Sequence, residues 1–92
     1  MIYHLDFTDD AKEEIADLKK SAPDDFDKVS RLLKELVVHP RTGTGKPELM
    51  KYGKLKGLWS RRITDKNRLV YKIKDSELIV VVLSAKGHYN DK

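Results

Sequence analysis

The spacing of apolar residues changes once along this 92-residue chain, and that change limits what the chain can fold into. Up to residue 38, apolar residues recur every three or four positions, which is the spacing of one helix face. From residue 59 to residue 83 they alternate with polar residues or run continuously, as in strands. This segregation predicts one α+β domain over residues 1–92, with two N-terminal helices packed on one face of a twisted antiparallel sheet.

The first part of the chain predicts a short strand over residues 2–7 and then two helices. Thr8 suits the N-cap of the first helix, and Pro23 is tolerated in the first turn of the second. The second helix should end at His39-Pro40, because the residue before a proline disfavours the α conformation. Each helix carries one apolar stripe that we interpret as core: Phe7, Ala11, Ile15 and Leu18, and then Phe26, Val29, Leu32, Leu33, Leu36 and Val37.

Three further segments have a clear local pattern. Residues 41–47 contain two glycines and a proline without Walker spacing, which predicts a flexible connector more than a phosphate cradle. Residues 74–77 are typical of a turn. Residues 78–83 form a continuous apolar run, which predicts a central strand covered on both faces.

Residues 59–74 predict a hairpin with its loop near residues 65–67. We expect Ile63 to pair with Leu69, since this register keeps the apolar residues on one face. Arg62 and Arg68 would then lie together on the face away from the helices. Two guanidinium groups on an uncovered sheet face need water or an anion, and we favour an anion. The register places Thr64 opposite Arg68 and Arg62 opposite Val70.

Charge and composition narrow the function classes. Residues 1–40 carry 6 Lys or Arg and 10 Asp or Glu, whereas residues 41–92 carry 13 and 5, so the predicted sheet is strongly basic. A basic sheet suits a polyanionic partner. The absence of cysteine and the wide spacing of the three histidines argue against a metal site, and no cofactor is expected. With no long apolar run and no signal sequence, we expect a cytoplasmic protein without a membrane span.

The residue types needed to cleave RNA by its own 2′-hydroxyl are present. That reaction needs a base, an acid for the leaving 5′-oxygen and cations around the phosphorus. Glu48 is the candidate base, and Arg68 and Arg62 are candidate phosphate clamps. His88 is the candidate acid, because imidazole has a reference pKa of ~6.5. Tyr89 could stack on a base or hold a phosphate. Taken singly, each residue is more often an ordinary surface residue, and none alone supports a functional assignment.

Four segments together resemble the YoeB/Txe group of toxins, within the RelE/ParE superfamily of bacterial toxin–antitoxin systems. They are Gly45-Lys46-Pro47-Glu48, Trp59-Ser60-Arg61-Arg62-Ile63-Thr64, Arg68-Leu69-Val70-Tyr71 and Ser84-Ala85-Lys86-Gly87-His88-Tyr89. The chain departs from the group in having Leu49 after the glutamate, one extra residue within residues 52–57, and a tail over residues 90–92.

The resemblance implies an endoribonuclease that enters the A site of the 30S ribosomal subunit and cuts mRNA without a metal. It places the base on Glu48, the phosphate-stabilising arginine on Arg68, the acid on His88 and the terminal tyrosine on Tyr89. It also implies a cognate antitoxin of the YefM/Axe type and often a homodimer. The candidate RNA- or phosphate-binding residues are Lys46, Lys51, Lys54, Arg61 and Arg62.

Two other functions remain open from the sequence. A ParE-like inhibitor of gyrase would share the fold but needs no acid and base, so the joint presence of Glu48, Arg68 and His88 argues against it. A plain RNA- or ribosome-binding module would use the basic sheet without chemistry. Salt-dependent binding without a cleaved product would favour the binding module.

Overall fold

Two helices and a five-stranded sheet make up residues 1–86, the part of the chain that the computed structural model describes. The predicted α+β class, with two helices packed against a sheet, is confirmed. The strand order is β1-β5-β4-β3-β2. In chain order the elements are β1 (His4–Phe7), α1 (Asp9–Ser21), α2 (Pro23–Val38), β2 (Glu48–Leu49), β3 (Trp59–Arg62), β4 (Arg68–Lys74) and β5 (Ile79–Ser84).

The ends of both helices follow from local chemistry. The Thr8 hydroxyl accepts a hydrogen bond from the Ala11 N–H at 3.1 Å and caps α1, as predicted. The Ala22 N–H closes the last turn of α1, and α2 starts at Pro23. Helix α2 stops at Val38, directly before His39-Pro40.

The sheet is mixed, because β1 runs parallel to β5 while the other three strand pairs are antiparallel. The antiparallel arrangement predicted from sequence therefore applies to β2 through β5. Parallel neighbours need a long crossover connection. Here the connection contains both helices and the other three strands, so short-range pattern gave no sign of it.

The β3–β4 register differs by two residues from the predicted one. The Ile63 N–H bonds to the Asn67 carbonyl, so the hairpin loop consists of residues 64–66. Arg62 therefore lies opposite Arg68. The Thr64 hydroxyl closes this loop by accepting from the Asn67 N–H at 3.0 Å. Side chains repeat their face every two residues, so a shift of two leaves the faces as predicted. Arg62 and Arg68 do share the face away from the helices.

The core lies between the helices and one face of the sheet. Burying each large apolar side chain there contributes about 1.5–3 kcal/mol. In β5, Val80 and Val82 are fully buried against the helices, whereas the alternating residues Ile79, Val81 and Leu83 are only partly buried. The predicted central position is confirmed, since β5 lies between β1 and β4, but the predicted cover on both faces is only partial on the face away from the helices. No helix within residues 1–86 is long and apolar enough to cross a membrane. Fully buried core residues include Ala11, Val29, Leu32, Leu36, Leu69, Tyr71, Val80 and Val82.

Candidate active site

The predicted base and the predicted phosphate clamp meet on the open face of the sheet. Glu48 begins the edge strand β2, and Arg68 begins β4 two strands away. The Arg68 Nη2 lies 3.4 Å from the Glu48 Oε1. The Glu48 side chain is 63% exposed and that of Arg68 is 23% exposed. A carboxylate and a guanidinium thus stand side by side, with the carboxylate open to solvent.

Ser60 is a site residue that was not singled out from the sequence. It lies on β3 between the two, opposite Glu48 in the β2–β3 register, and is fully buried. Its hydroxyl accepts a hydrogen bond from the Arg68 Nε at 3.1 Å and contacts the Met50 sulfur at 3.6 Å. Bonding at Nε fixes the plane of the guanidinium group. The available signal was strand alternation, which places Ser60 on the same face as Arg62.

Arg62 adds a second cation to this face. It lies opposite Arg68 in the register, and its side chain is 50% exposed. Its one ion pair within residues 1–86 is with Asp65 in the hairpin loop, at 3.6 Å, and that carboxylate is almost fully exposed. Like charges opposite one another on a sheet are destabilising. An anion bound between the two arginines would relieve this repulsion.

Arg61 is the exception among the predicted phosphate-binding residues, and its assignment is wrong. Strand alternation turns its side chain towards the helices, where it is fully buried. Its Nη1 donates to the Glu35 carboxylate at 2.8 Å and its Nε to the Tyr71 hydroxyl at 3.1 Å. Its Nη2 donates to the carbonyls of His39 and Thr42. A guanidinium with its donors engaged inside the protein cannot bind a phosphate outside it.

The loop before β2 is held in place, in contrast to the predicted flexible connector. The Glu35 carboxylate accepts from the Thr44 hydroxyl at 2.6 Å and from the Thr44 N–H at 2.8 Å. These bonds, with that from Arg61, lower the pKa of Glu35, and burial opposes them in part. Gly45 has a φ of +86° and passes so close to β3 that a Cβ would lie 3.0 Å from the Arg62 carbonyl. The loop thereby fixes where β2 and Glu48 begin.

Tyr71 completes this buried network beneath the sheet. Its hydroxyl donates to the Pro40 carbonyl at 2.8 Å while accepting from Arg61. Burial raises the pKa of the Tyr71 hydroxyl above its ordinary value, and Arg61 opposes this in part. A neutral, fully bonded tyrosine here serves to join β4 to the segment that follows α2.

The predicted lysines surround Glu48 along the chain. Lys46, Lys51 and Lys54 are all exposed, and none forms an ion pair within the described residues. Lys46 has a left-handed φ of +50°, which is uncommon for a residue with a side chain. Their charges therefore remain available to a polyanion. Across residues 1–86 there is no cluster of three or more His, Cys, Asp or Glu side chains that could hold a metal.

His88 and Tyr89 lie outside the described residues, but the chain that leads to them is visible. The Glu14 Oε1 on α1 accepts from the N–H groups of Ala85 and Lys86, at 2.8 and 2.9 Å, and from the Ser84 hydroxyl. Lys86 also pairs with Asp17 at 3.5 Å. Helix α1 thus anchors the chain two residues before His88. Glu14 was missed because nothing local marks a helix carboxylate that bonds more than 70 residues away.

Comparison with known proteins shows the family of this chain. A family model described as a YoeB-like toxin of bacterial type II toxin–antitoxin systems matches residues 7–89. A Streptomyces coelicolor protein named Toxin YoeB is 47% identical over 62 residues, which cover 67% of this chain and 70% of that protein.

Two solved structures extend the match over the whole fold. The YoeB dimer from Staphylococcus aureus superposes with a TM-score of 0.83 at 31% identity, covering 97% of this chain and 100% of the other. The heterotetrameric YoeB–YefM toxin–antitoxin complex from the same organism superposes with a TM-score of 0.80 at 30% identity and the same coverage. The chain therefore belongs to the family of YoeB-like toxins of bacterial type II toxin–antitoxin systems.

Proposed function

We propose that this toxin is an endoribonuclease that cuts mRNA on the ribosome, without a metal, using the RNA's own 2′-hydroxyl as nucleophile. The observation that carries the proposal is the contact between the Glu48 carboxylate and the Arg68 guanidinium on an open, basic sheet face. A purely electrostatic binding surface has no need of a carboxylate at its centre. A base beside a phosphate clamp is the arrangement that 2′-hydroxyl attack requires.

Glu48 acts as the general base. Its carboxylate is mostly exposed, so a ribose 2′-hydroxyl can reach it and give up its proton. The 2′-oxygen then attacks the neighbouring phosphorus, and the bond from phosphorus to the 5′-oxygen breaks. The products are a 2′,3′-cyclic phosphate and a 5′-hydroxyl. The 3.4 Å contact with Arg68 is long for a charged hydrogen bond, so a phosphate can replace the carboxylate as the partner of Arg68.

Arg68 stabilises the charge that develops on the phosphate oxygens. The Ser60 hydroxyl accepts a hydrogen bond from its Nε, and its Nη2 lies 3.4 Å from the Glu48 Oε1. A planar guanidinium can bind two phosphate oxygens at once. Arg62, on the neighbouring strand, adds positive charge to the same face. Lys46, Lys51 and Lys54 bind the RNA backbone on either side of the cut.

His88 supplies the proton to the leaving 5′-oxygen in this proposal, and Tyr89 contacts the RNA beside it. Both assignments rest on the family motif at the end of the chain. Imidazole can hold and release a proton near neutral pH, which suits a general acid.

The proposal extends to the partners. Because the family consists of toxins paired with antitoxins, and a similar toxin forms a complex with YefM, we propose that a YefM-like antitoxin neutralises this chain. By the same likeness we propose that the toxin forms a homodimer. Its target, mRNA on ribosomes, would place its action in the cytoplasm.

The decisive experiment maps RNA ends in growing cells and on purified ribosomes. Expression of the toxin alone should arrest growth, and a translated transcript should be cut while its untranslated copy stays whole. The upstream fragment should carry a 2′,3′-cyclic phosphate at its 3′ end. An mRNA with a 2′-deoxy residue at the cut site should stay intact. Glu48→Gln should lower the rate roughly 10²–10⁴-fold. The matched control, Glu77→Gln in the exposed turn before β5, should leave it unchanged.

Two outcomes would reject the proposal. A 5′-phosphate product would mean that water or another external group attacks the phosphorus. Growth arrest without any cut RNA would mean that the toxin acts by binding alone, whether on the ribosome or on gyrase.

A further inference from the structure

Tyr52 is the most exposed aromatic side chain of residues 1–86, at 85% of its full accessible surface. It follows the edge strand β2, in the stretch that leads to β3. A single exposed apolar residue is common on protein surfaces. What distinguishes Tyr52 is the order of the loop that carries it and the charge around it.

The loop is folded back on itself by backbone hydrogen bonds. The Met50 N–H donates to the Leu58 carbonyl at 2.8 Å, and the Gly57 N–H donates to the Met50 carbonyl at 2.9 Å. A short 3₁₀ turn, Gly53–Leu55, fills the loop and is closed by the Lys56 N–H. A side chain presented on a preformed loop loses little conformational freedom on binding.

The charge of this loop is entirely positive. Lys51, Lys54 and Lys56 are exposed, and none of them forms an ion pair within the described residues. From residue 49 to residue 64 the sequence contains no Asp or Glu. Lysines that follow a nucleic-acid backbone, combined with an aromatic ring for a base, form the usual platform for a single strand.

The loop lies next to the proposed cleavage site. Tyr52 is four residues beyond Glu48, so the two Cα atoms lie at most about 14 Å apart. Resting on the proposed function, we propose that this loop binds the mRNA strand beside the cut, with Tyr52 stacked on an unpaired base. The aromatic ring recognises the flat face of the base, so the contact tolerates base identity and adds affinity.

The test uses purified toxin and ribosomes programmed with an mRNA that carries a 2′-deoxy residue at the cut site. The dissociation constant is measured for the wild type, Tyr52→Phe and Tyr52→Leu. Phe keeps the aromatic face and should bind within about twofold of the wild type. Leu keeps apolar bulk but not the ring, and should bind roughly 5- to 100-fold more weakly. Thermal melting checks that the variants are folded.

A second arm locates the base. In a series of mRNAs, one nucleotide near the cut at a time lacks its base. One such deletion should weaken binding of the wild type and leave Tyr52→Leu unaffected, since the stacking partner is already gone. Lys54→Ala should reduce the salt dependence of binding, by a slope of ~0.7 for one lost phosphate contact, whereas Tyr52→Leu should not change the slope.

Each result has a definite meaning. Equal binding by the wild type and Tyr52→Leu overturns the inference, even if cleavage of all-ribose mRNA proceeds. Weaker binding by Tyr52→Leu that no base deletion reproduces means that Tyr52 contacts ribosomal RNA or protein, which overturns the assignment to mRNA. If one base deletion weakens binding as much as Tyr52→Leu does, but the wild type does not cut all-ribose mRNA, the inferred mRNA contact is supported and the proposed nuclease activity is rejected. If the wild type neither binds nor cuts, both fail.

Discussion

Arg61 and Arg68 belong to neighbouring strands and carry the same side chain, yet they occupy opposite sides of the sheet. The Arg61 side chain is fully buried and bonds to acceptors inside the protein. The Arg68 side chain lies on the open face, next to the exposed carboxylate of Glu48. The helix-facing arginine joins α2, the loop before β2 and β4 into one unit. The open-face arginine is available to a phosphate. Strand alternation, and not residue type, decides which arginine stabilises the fold and which one serves the proposed chemistry.

The largest expected effect is the loss of stability when the buried arginine, Arg61, is replaced. Arg61→Met removes one of the donors to the Glu35 carboxylate and leaves the His39 and Thr42 carbonyls without their Arg61 donor, which should lower the free energy of unfolding by about 1–3 kcal/mol for each buried acceptor left unsatisfied. Urea denaturation measures this loss. The control, Arg62→Met on the exposed face, should change stability by no more than about 0.5 kcal/mol. If Arg62→Met proves the more damaging, the assignment of the two faces is wrong.

The next largest effect is the loss of mRNA cleavage when the arginine on the open face, Arg68, is replaced. Arg68→Ala should lower the rate of mRNA cleavage about 10²–10³-fold, because charge at phosphorus loses its stabilisation. Its free energy of unfolding should fall by less than that of Arg61→Met, since the Arg68 side chain is partly exposed and its ion pair is with an exposed carboxylate. Arg68→Lys should remain impaired, because an ammonium cannot bind two oxygens in a plane. Full activity in Arg68→Lys would show that charge alone suffices.

The smallest effect concerns pH and sharpens the role of the loop before β2. The pKa of Glu35 is lowered in the folded state below its ordinary value, chiefly because its carboxylate accepts a hydrogen bond from the Thr44 hydroxyl. A lowered carboxylate pKa contributes stability above the unfolded-state pKa, and that stability is lost as pH falls through the folded-state pKa. Thr44→Val should therefore flatten the fall in melting temperature below about pH 4.5, and Glu35→Gln should flatten it further. Unchanged slopes would mean that the loop is held by other contacts.

Much of the fold follows from sequence pattern alone. The spacing of apolar residues correctly predicted both helices, and Thr8 and Pro23 predicted where they start. The alternation of residues along the strands correctly predicted which side chains share a face of the sheet. The register was wrong because a threonine hydroxyl closes the hairpin loop one residue earlier than expected. The parallel pairing of β1 was missed for a different reason, since its partner lies some 75 residues further along the chain.

The site was predictable to a lesser degree. Glu48 and Arg68 come together as expected, whereas Ser60, Glu35 and Glu14 act through contacts that only the folded chain creates. Arg61 shows the limit of motif reasoning, because it stands next to Arg62 in the sequence but faces the other way. Its alternation with Arg62 was itself the clue that it belongs to the core.

The parallel pairing of β1 with β5 has a consequence for how the sheet folds. Within the described residues β1 pairs only with β5 (Ile79–Ser84), which lies between β1 and β4 in the sheet. The paired residues lie some 75 positions apart in the sequence, and contacts of such long range slow folding. Strand β4, which carries Arg68, therefore gains its second neighbour only when β5 docks.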